Sequence, residues 1–376
     1  MTNYRLTPLR DTSENKKRIM EHMRNNMPSP KPTSKRNWMP ALIAVFTLIV
    51  AIFLIGPSMY QALFNKQDFT IEKVVFPETA YDALNNSTYL DESNEFIYRT
   101  EHGFYSFNVT SKKETLLVET THWGYDYGVS ENWVVWAQAV ENEEKLHVLN
   151  RQTNEVQIYE TDYFYGIEVK DDTLFFMGVT RIDGNSSSAA YKMMDLKTGE
   201  IKELRKLHGE GGSSLPEING SLIVTSETVE GESGMSTVIT VQDYKEINDY
   251  GNYTVPYRSV QYLQLRENQV YGYMWNEGDD EPFIGSIDME SGQFHAIKTS
   301  FKLHDFATDG EHFAVSVQRG DSDTVWLFEN NDGALKRVSK LPSIKERLVL
   351  PRFTEAGTLV LNGEGPDRAM YLIRFK

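Results

Sequence analysis

The 376-residue chain contains no cysteine. Disulfides, cysteine-bound zinc and thiol nucleophiles are excluded together. Secreted eukaryotic domains usually carry disulfides, so a cysteine-free outer domain fits a bacterial envelope, above all a Gram-positive one. Histidine is sparse: His22, His102, His122, His147, His208, His295, His304 and His312 are scattered, and no two stand four apart as a zinc-binding helix requires. They read mostly as surface or loop residues. There is no G-x-S-x-G element, so serine hydrolase chemistry has no support. GEGGSS (209–214) and Gly363-Glu364-Gly365 are glycine-rich, but neither follows a strand and opens a helix as a phosphate cradle does. The acidic runs Glu277-Gly278-Asp279-Asp280-Glu281 and Asp321-Ser322-Asp323 lack the ligand spacing of an EF-hand loop and read as solvated connections. No catalytic residue, cofactor site or metal site emerges.

One long apolar run is present. Met39 to Gly56 reads MPALIAVFTLIVAIFLIG, uncharged and with only Thr47 polar. At about 1.5 Å per residue such a run crosses the ~30 Å hydrocarbon layer as one helix. Trp38 and Tyr60 stand at the interfaces, Pro40 occupies the first turn and Gly56-Pro57 ends it. The charged leader before it is too long for a signal peptide, and no A-x-A cleavage site follows. A transmembrane helix is therefore expected over 38–57, with 58–67 as linker.

Charge sets its direction. Residues 1–37 hold nine Lys/Arg against three Asp/Glu, whereas the remainder holds 29 against 51, a net of −22. Lys66 and Lys73 are the only cations in the twenty or so positions after the helix. The positive-inside rule places the N-terminus in the cytoplasm and the large domain outside. So acidic a domain repels phosphate, which excludes nucleic acid as its partner.

The outer domain repeats. A polar turn, an apolar strand, an acidic or Gly-rich loop, a second strand, a turn and a third strand recur, most plainly in SENWVVWAQAV-ENEE-KLHVLN-RQTN-EVQIYE (130–160). Further copies occupy 170–204, 266–298 and 308–339, with weaker ones at 91–119 and 218–247. Thr198-Gly199, Ser291-Gly292 and Asp332-Gly333 supply hairpin turns. Apolar strands open at Phe96, Trp133, Leu174, Leu222, Val270, Phe313 and Leu359, a mean step of about 44 residues, the size of a four-stranded propeller blade. The seventh unit lacks an outer strand, and DFTIEKVVF (68–76) is a spare one that would close the ring. The expected fold is all-β: a seven-bladed β-propeller over 68–376, six or eight blades being the alternatives.

In this pattern the chain resembles the bacterial extracytoplasmic β-propellers, the TolB-like and WD40-like group. It lacks the WD dipeptide and Gly-His pair; Asn132-Trp133 and Val325-Trp326 stand where strand aromatics would pack. That group hosts enzymes, scaffolds and ligand binders, so the likeness concerns architecture.

The tail holds a second pattern. SENKKRIMEHMRNNM (13–27) reads as a short helix capped by Ser13, with Ile19 or Met20, Met23 and Met27 on one face, followed by the Pro-rich spacer MPSPKPTSKR (27–36). A helix this short needs a partner or a membrane surface. Lys16-Lys17-Arg18-Ile19-Met20, then Lys35-Arg36-Asn37-Trp38 and the apolar run, resembles the inner half of membrane-bound anti-sigma factors of Gram-positive bacteria. The resemblance implies a sigma factor as cytoplasmic partner, met by Ile19, Met20 and Met23. The expectation is a non-enzymatic, anchored binding or sensing protein with an unidentified outer ligand. An extracytoplasmic scaffold is the alternative, and an ectoenzyme the third.

Overall fold

The computed structural model describes residues 17–18, 20–22 and 69–376, apart from 78–83, 121–125, 141–142, 161–162, 184–185, 209–213, 232–233, 279–280, 298, 300, 320–321, 332–333, 341–343 and 345. The chain divides into two compact units, Met1–Gln67 and Asp68–Lys376. In the first, residues 17–18 and 20–22 are helical and Met20 is exposed. Ile19, Met23, the expected membrane segment and its linker lie outside the described residues. No helix among the described residues is long and apolar enough to cross a membrane.

The second unit is a seven-bladed β-propeller. Its described strands pair into seven antiparallel sheets of four. The first six blades span 88–119, 127–160, 163–206, 217–255, 259–297 and 303–340. Blade seven takes three strands from 348–375 and its outermost strand, Phe69–Val74, from the start of the domain. That strand pairs with Met370–Phe375, from Phe69 opposite Phe375 to Val74 opposite Met370. The spare strand closes the ring as its sequence predicts. Lys73 adds ion pairs to Asp367 (2.8 Å) and Glu346 (3.3 Å), and Arg374 pairs with Glu72 (2.8 Å).

One sequence expectation is corrected. The strands opening at Phe96, Trp133, Leu174, Leu222, Val270, Phe313 and Leu359 are the second strands of their blades, not the first. Each is preceded by an inner strand beside the axis: Thr88–Leu90, Tyr127–Val129, Tyr163–Lys170, Glu217–Asn219, Ser259–Arg266, Leu303–Thr308 and Leu348–Phe353. Three of these are only three residues long, and all mix polar with apolar side chains. Their inner edge has no sheet neighbour among the described residues, so no sustained period-two apolar pattern marks them.

The second strands carry the packing. Alternate residues face opposite neighbours: Phe96 and Tyr98 join the cluster shared with blade seven, and Ile97 the cluster shared with blade two. Leu174 and Phe176 face blade two, Phe175 blade four. A strand buried on both faces reads as a continuous apolar run rather than an alternating one, which is why these were visible in the sequence. Among the described residues the core falls into seven clusters, one per blade interface. Gly199 and Gly292 hold φ of 76° and 70° in their predicted turns; Asp332-Gly333 lies outside the described residues.

Candidate functional site: the axial ring and its mouth

The registers of the seven inner strands define one level around the axis. Ile97, Val135, Phe175, Val224, Tyr271, Ala314 and Val360 are equivalent, since each packs into the interface with the following blade. Opposite them on the inner strands stand Thr88, Gly128, Glu168, Glu217, Gln264, Ala307 and Arg352. The ring thus places two carboxylates side by side on blades three and four, an amide on blade five and a guanidinium on blade seven. At Gly128 a Cβ would lie 2.7 Å from Val169 Cγ2 and 2.9 Å from Ile167 Cγ2, so the neighbouring blade occupies the space of a side chain.

The two charged arcs differ in how they are held. Arg352 donates from Nη1 to Asn362 Oδ1 (2.8 Å) and Leu350 O (3.0 Å), and from Nη2 to Ser87 O (3.1 Å) and Ser87 Oγ (3.3 Å). These acceptors are neutral, and burial lowers its pKa to about 10. Near it, Arg99 lies 5.7 Å from the Tyr127 ring centroid, and the Tyr127 hydroxyl donates to Asn86 O. On the other side Glu217 accepts from Arg266 Nη1 at 2.8 Å, yet burial still raises its pKa.

Glu168 has no direct ion pair among the described residues. Desolvation first, then the charges of Glu217, Asp126 and Glu355, push its pKa up to about 8, opposed by Lys170. Its side chain is wetted by the channel and yet walled by protein, so the channel supplies access without the full screening of bulk water. Asp305, on blade six, is raised to about 6, again mainly by burial.

Bulges shape the space above the ring. On blades three, five and seven the inner strand slips immediately before the ring residue: between Tyr165 and Glu168, Gln261 and Gln264, and Val349 and Arg352. Each bulge holds one left-handed residue, Gly166 (φ 68°), Tyr262 (φ 50°) or Leu350 (φ 52°). Asp126 Oδ2 fastens the first by accepting from Gly166 N (2.6 Å) and Ile167 N (3.0 Å). Below the ring, toward the turns into the second strands, Lys170 of blade three donates to Glu355, which follows the inner strand of blade seven. Their blades are not neighbours, so this ion pair crosses the axis.

The residues singled out in the sequence lie elsewhere. His147 is half-buried, stacked on Trp136 at 5.1 Å, and its pKa is lowered by desolvation. His312 is held by Asp309 Oδ2 at 3.1 Å and stacks on Phe375 at 4.2 Å, so these two are packed strand residues rather than surface ones. Gly365 lets its backbone N reach Glu346 Oε2 at 2.6 Å, a structural contact at the closure. Among the described residues no group of three His, Asp or Glu could hold a metal ion. Glu277 pairs with Arg258, while Asp279, Asp280, Asp321 and residues 209–213 of GEGGSS lie outside the described residues. Sequence reasoning missed the ring because its members, five of them polar, are isolated residues about 40 to 50 positions apart. Only the blade period, applied to the residues before each apolar strand, could have aligned them.

No family model matches the chain, and no curated protein matches it in sequence. Solved structures match its fold. An oligogalacturonate lyase in complex with manganese is 13% identical, covers 82% of this chain and 96% of its own, and gives a TM-score of 0.55. A chain of a mitotic checkpoint complex is 9% identical over 82% of this chain and 93% of its own, with a TM-score of 0.53. The β-propeller domain of the Trilobed protease from Pyrococcus furiosus, described as having an open velcro topology, is 13% identical over 68% and 84%, with a TM-score of 0.50. At such identities the likeness establishes the propeller fold and nothing finer.

Proposed function

We propose that the protein is a membrane-anchored, extracytoplasmic binding propeller that takes a cationic ligand in its axial channel. The observation that carries this is Glu168: a carboxylate in the channel wall, beside Glu217 and without a direct ion pair among the described residues. Without a ligand Glu168 holds its proton up to a pKa of about 8; a ligand cation would displace that proton and balance the carboxylate, and the net −22 of residues 38–376 would draw it in. The test is calorimetry on the full chain in detergent, with acetyl-Ala-Lys-Ala-amide as probe. Binding that weakens with salt and drops about tenfold in Glu168→Gln supports the reading. Equal affinity of wild type and variant refutes it.

The N-terminal unit extends the proposal inward. The charge bias around 38–57 supports a single-pass anchor with the N-terminus in the cytoplasm, and Ile19, Met20 and Met23 would meet a regulator such as a sigma factor. Pull-down of the intact protein from bacterial membranes, beside a form lacking residues 1–34, separates this from a scaffold working wholly outside. A cytoplasmic partner must be recovered with the intact form alone.

An enzyme is the second reading. A carboxyl held near neutral pKa, as at Glu168, is suited to general acid–base work. The structural neighbours include a lyase and, in a prolyl endopeptidase (12% identical, covering 77% of this chain and 50% of its own, TM-score 0.54), a peptidase. Turnover of envelope polysaccharide or peptide that disappears in Glu168→Gln would favour it.

A further inference from the structure

The apolar residues above the ring specify more than a cation. Tyr165, Leu215, Tyr262 and Leu350 are 55%, 66%, 58% and 38% exposed, among the large apolar side chains that the propeller leaves open to solvent. All four belong to the bulges or to the chain beside them. Tyr165 precedes Gly166, and Leu215 lies against it, its Cδ2 2.6 Å from where a Cβ would stand. Tyr262 and Leu350 are the left-handed residues of the other two bulges. A bulge re-aims side chains, and the equivalent registers put these at one height on blades three, five and seven, just outside Glu168 and Arg352.

Tyr and Leu are strained in left-handed backbone, and such strain persists chiefly where the side chain is used. Blade three resolves the same geometry with glycine, so the tyrosine and leucine are not needed to make the turn. From Tyr262 the aromatic surface continues outward to Tyr273 (6.1 Å) and Trp275 (5.7 Å from Tyr273). The far side of the ring is bridged by Lys170 and Glu355, so entry is from the bulge side.

We propose that this mouth binds a peptide segment in which a lysine or arginine is flanked by bulky apolar residues, its cation beside Glu168 and its apolar neighbours against Tyr165, Leu215, Tyr262 and Leu350. The inference rests on the cation-binding reading and deepens it. Apolar contact at the rim supplies affinity, tyrosine faces attract the approaching cation, and the acidic arc selects its charge.

The experiment is calorimetry of the full chain in detergent with acetyl-Phe-Lys-Phe-amide, against acetyl-Ala-Lys-Ala-amide and acetyl-Phe-Gln-Phe-amide. The first is expected to bind at least tenfold tighter than either control. Tyr262→Gly and Leu350→Gly relieve the left-handed strain, so each is expected to keep or raise the melting temperature while weakening the first peptide at least fivefold. A merely structural role would leave affinity unchanged in both. Equal affinity for the Phe-Lys-Phe and Ala-Lys-Ala peptides overturns the apolar specificity and leaves cation binding standing. Equal affinity for the Phe-Lys-Phe and Phe-Gln-Phe peptides, or no binding of either lysine peptide, overturns both.

Discussion

Lys170 and Glu355 form an ion pair across the propeller axis, joining blade three to blade seven over a gap that no backbone hydrogen bond among the described residues spans. Side-chain exposures of 21% and 58% place it in wet surroundings, where an isolated pair is worth about 0–1 kcal/mol. Its consequence is electrostatic and local, because Lys170 is the cation that opposes the rise of the Glu168 pKa.

Reversing either charge alone is expected to destabilise, most in Lys170→Glu, which adds a further carboxylate near Glu168, Glu217 and Glu355. The double swap Lys170→Glu with Glu355→Lys should recover most of the loss. Urea unfolding of the four proteins gives the coupling, expected at about 0.5–1 kcal/mol. A coupling of zero would mean the pair is not formed in solution.

Glu168 makes stability depend on pH in a defined sense. Its folded pKa, about 8, lies above the ordinary 4.5, so the native state holds the proton more tightly than the unfolded chain. This contribution is fully present below 4.5 and is lost as pH rises through about 8. Glu168→Gln should therefore match wild type at pH 4 and be the more stable protein at pH 9. Because channel water screens the charge, a gain of about 1 kcal/mol, roughly 2 °C in melting temperature, is expected. Thermal melts at the two pH values check it, and a variant less stable at pH 9 would contradict the assignment.

Gly128 is the ring position without room for a side chain. Gly128→Ala must push Val169 and Ile167 away at the interface of blades two and three, with an expected loss of about 1–3 kcal/mol by urea unfolding. A neutral substitution would show that the two blades yield there freely.

The closing strand is expected to hold the last blade in place. Phe69 and Val74 are buried, each worth about 1.5–3 kcal/mol. Replacing residues 69–74 by a Gly/Ser hexapeptide should lower stability by about 3 kcal/mol or more and remove hydrogen-exchange protection from Met370–Phe375. Unchanged protection there would mean that blade seven stands without its fourth strand.

The sequence by itself determined the blade period, favoured seven blades over six or eight and offered the closing strand, because strands buried on both faces must be apolar throughout and recur wherever a blade does. Phe96-Ile97-Tyr98 and Leu174-Phe175-Phe176 carry that signal in consecutive residues. Only the tertiary structure decided which residues meet on the axis. Glu168, Glu217, Gln264 and Arg352 share one level because their strands stand side by side in the ring, and each is locally an unremarked polar residue. The same holds for Tyr165, Leu215, Tyr262 and Leu350: three bulges at matching registers bring them to one mouth, and a bulge depends on the pairing of two strands rather than on the chain read along its length.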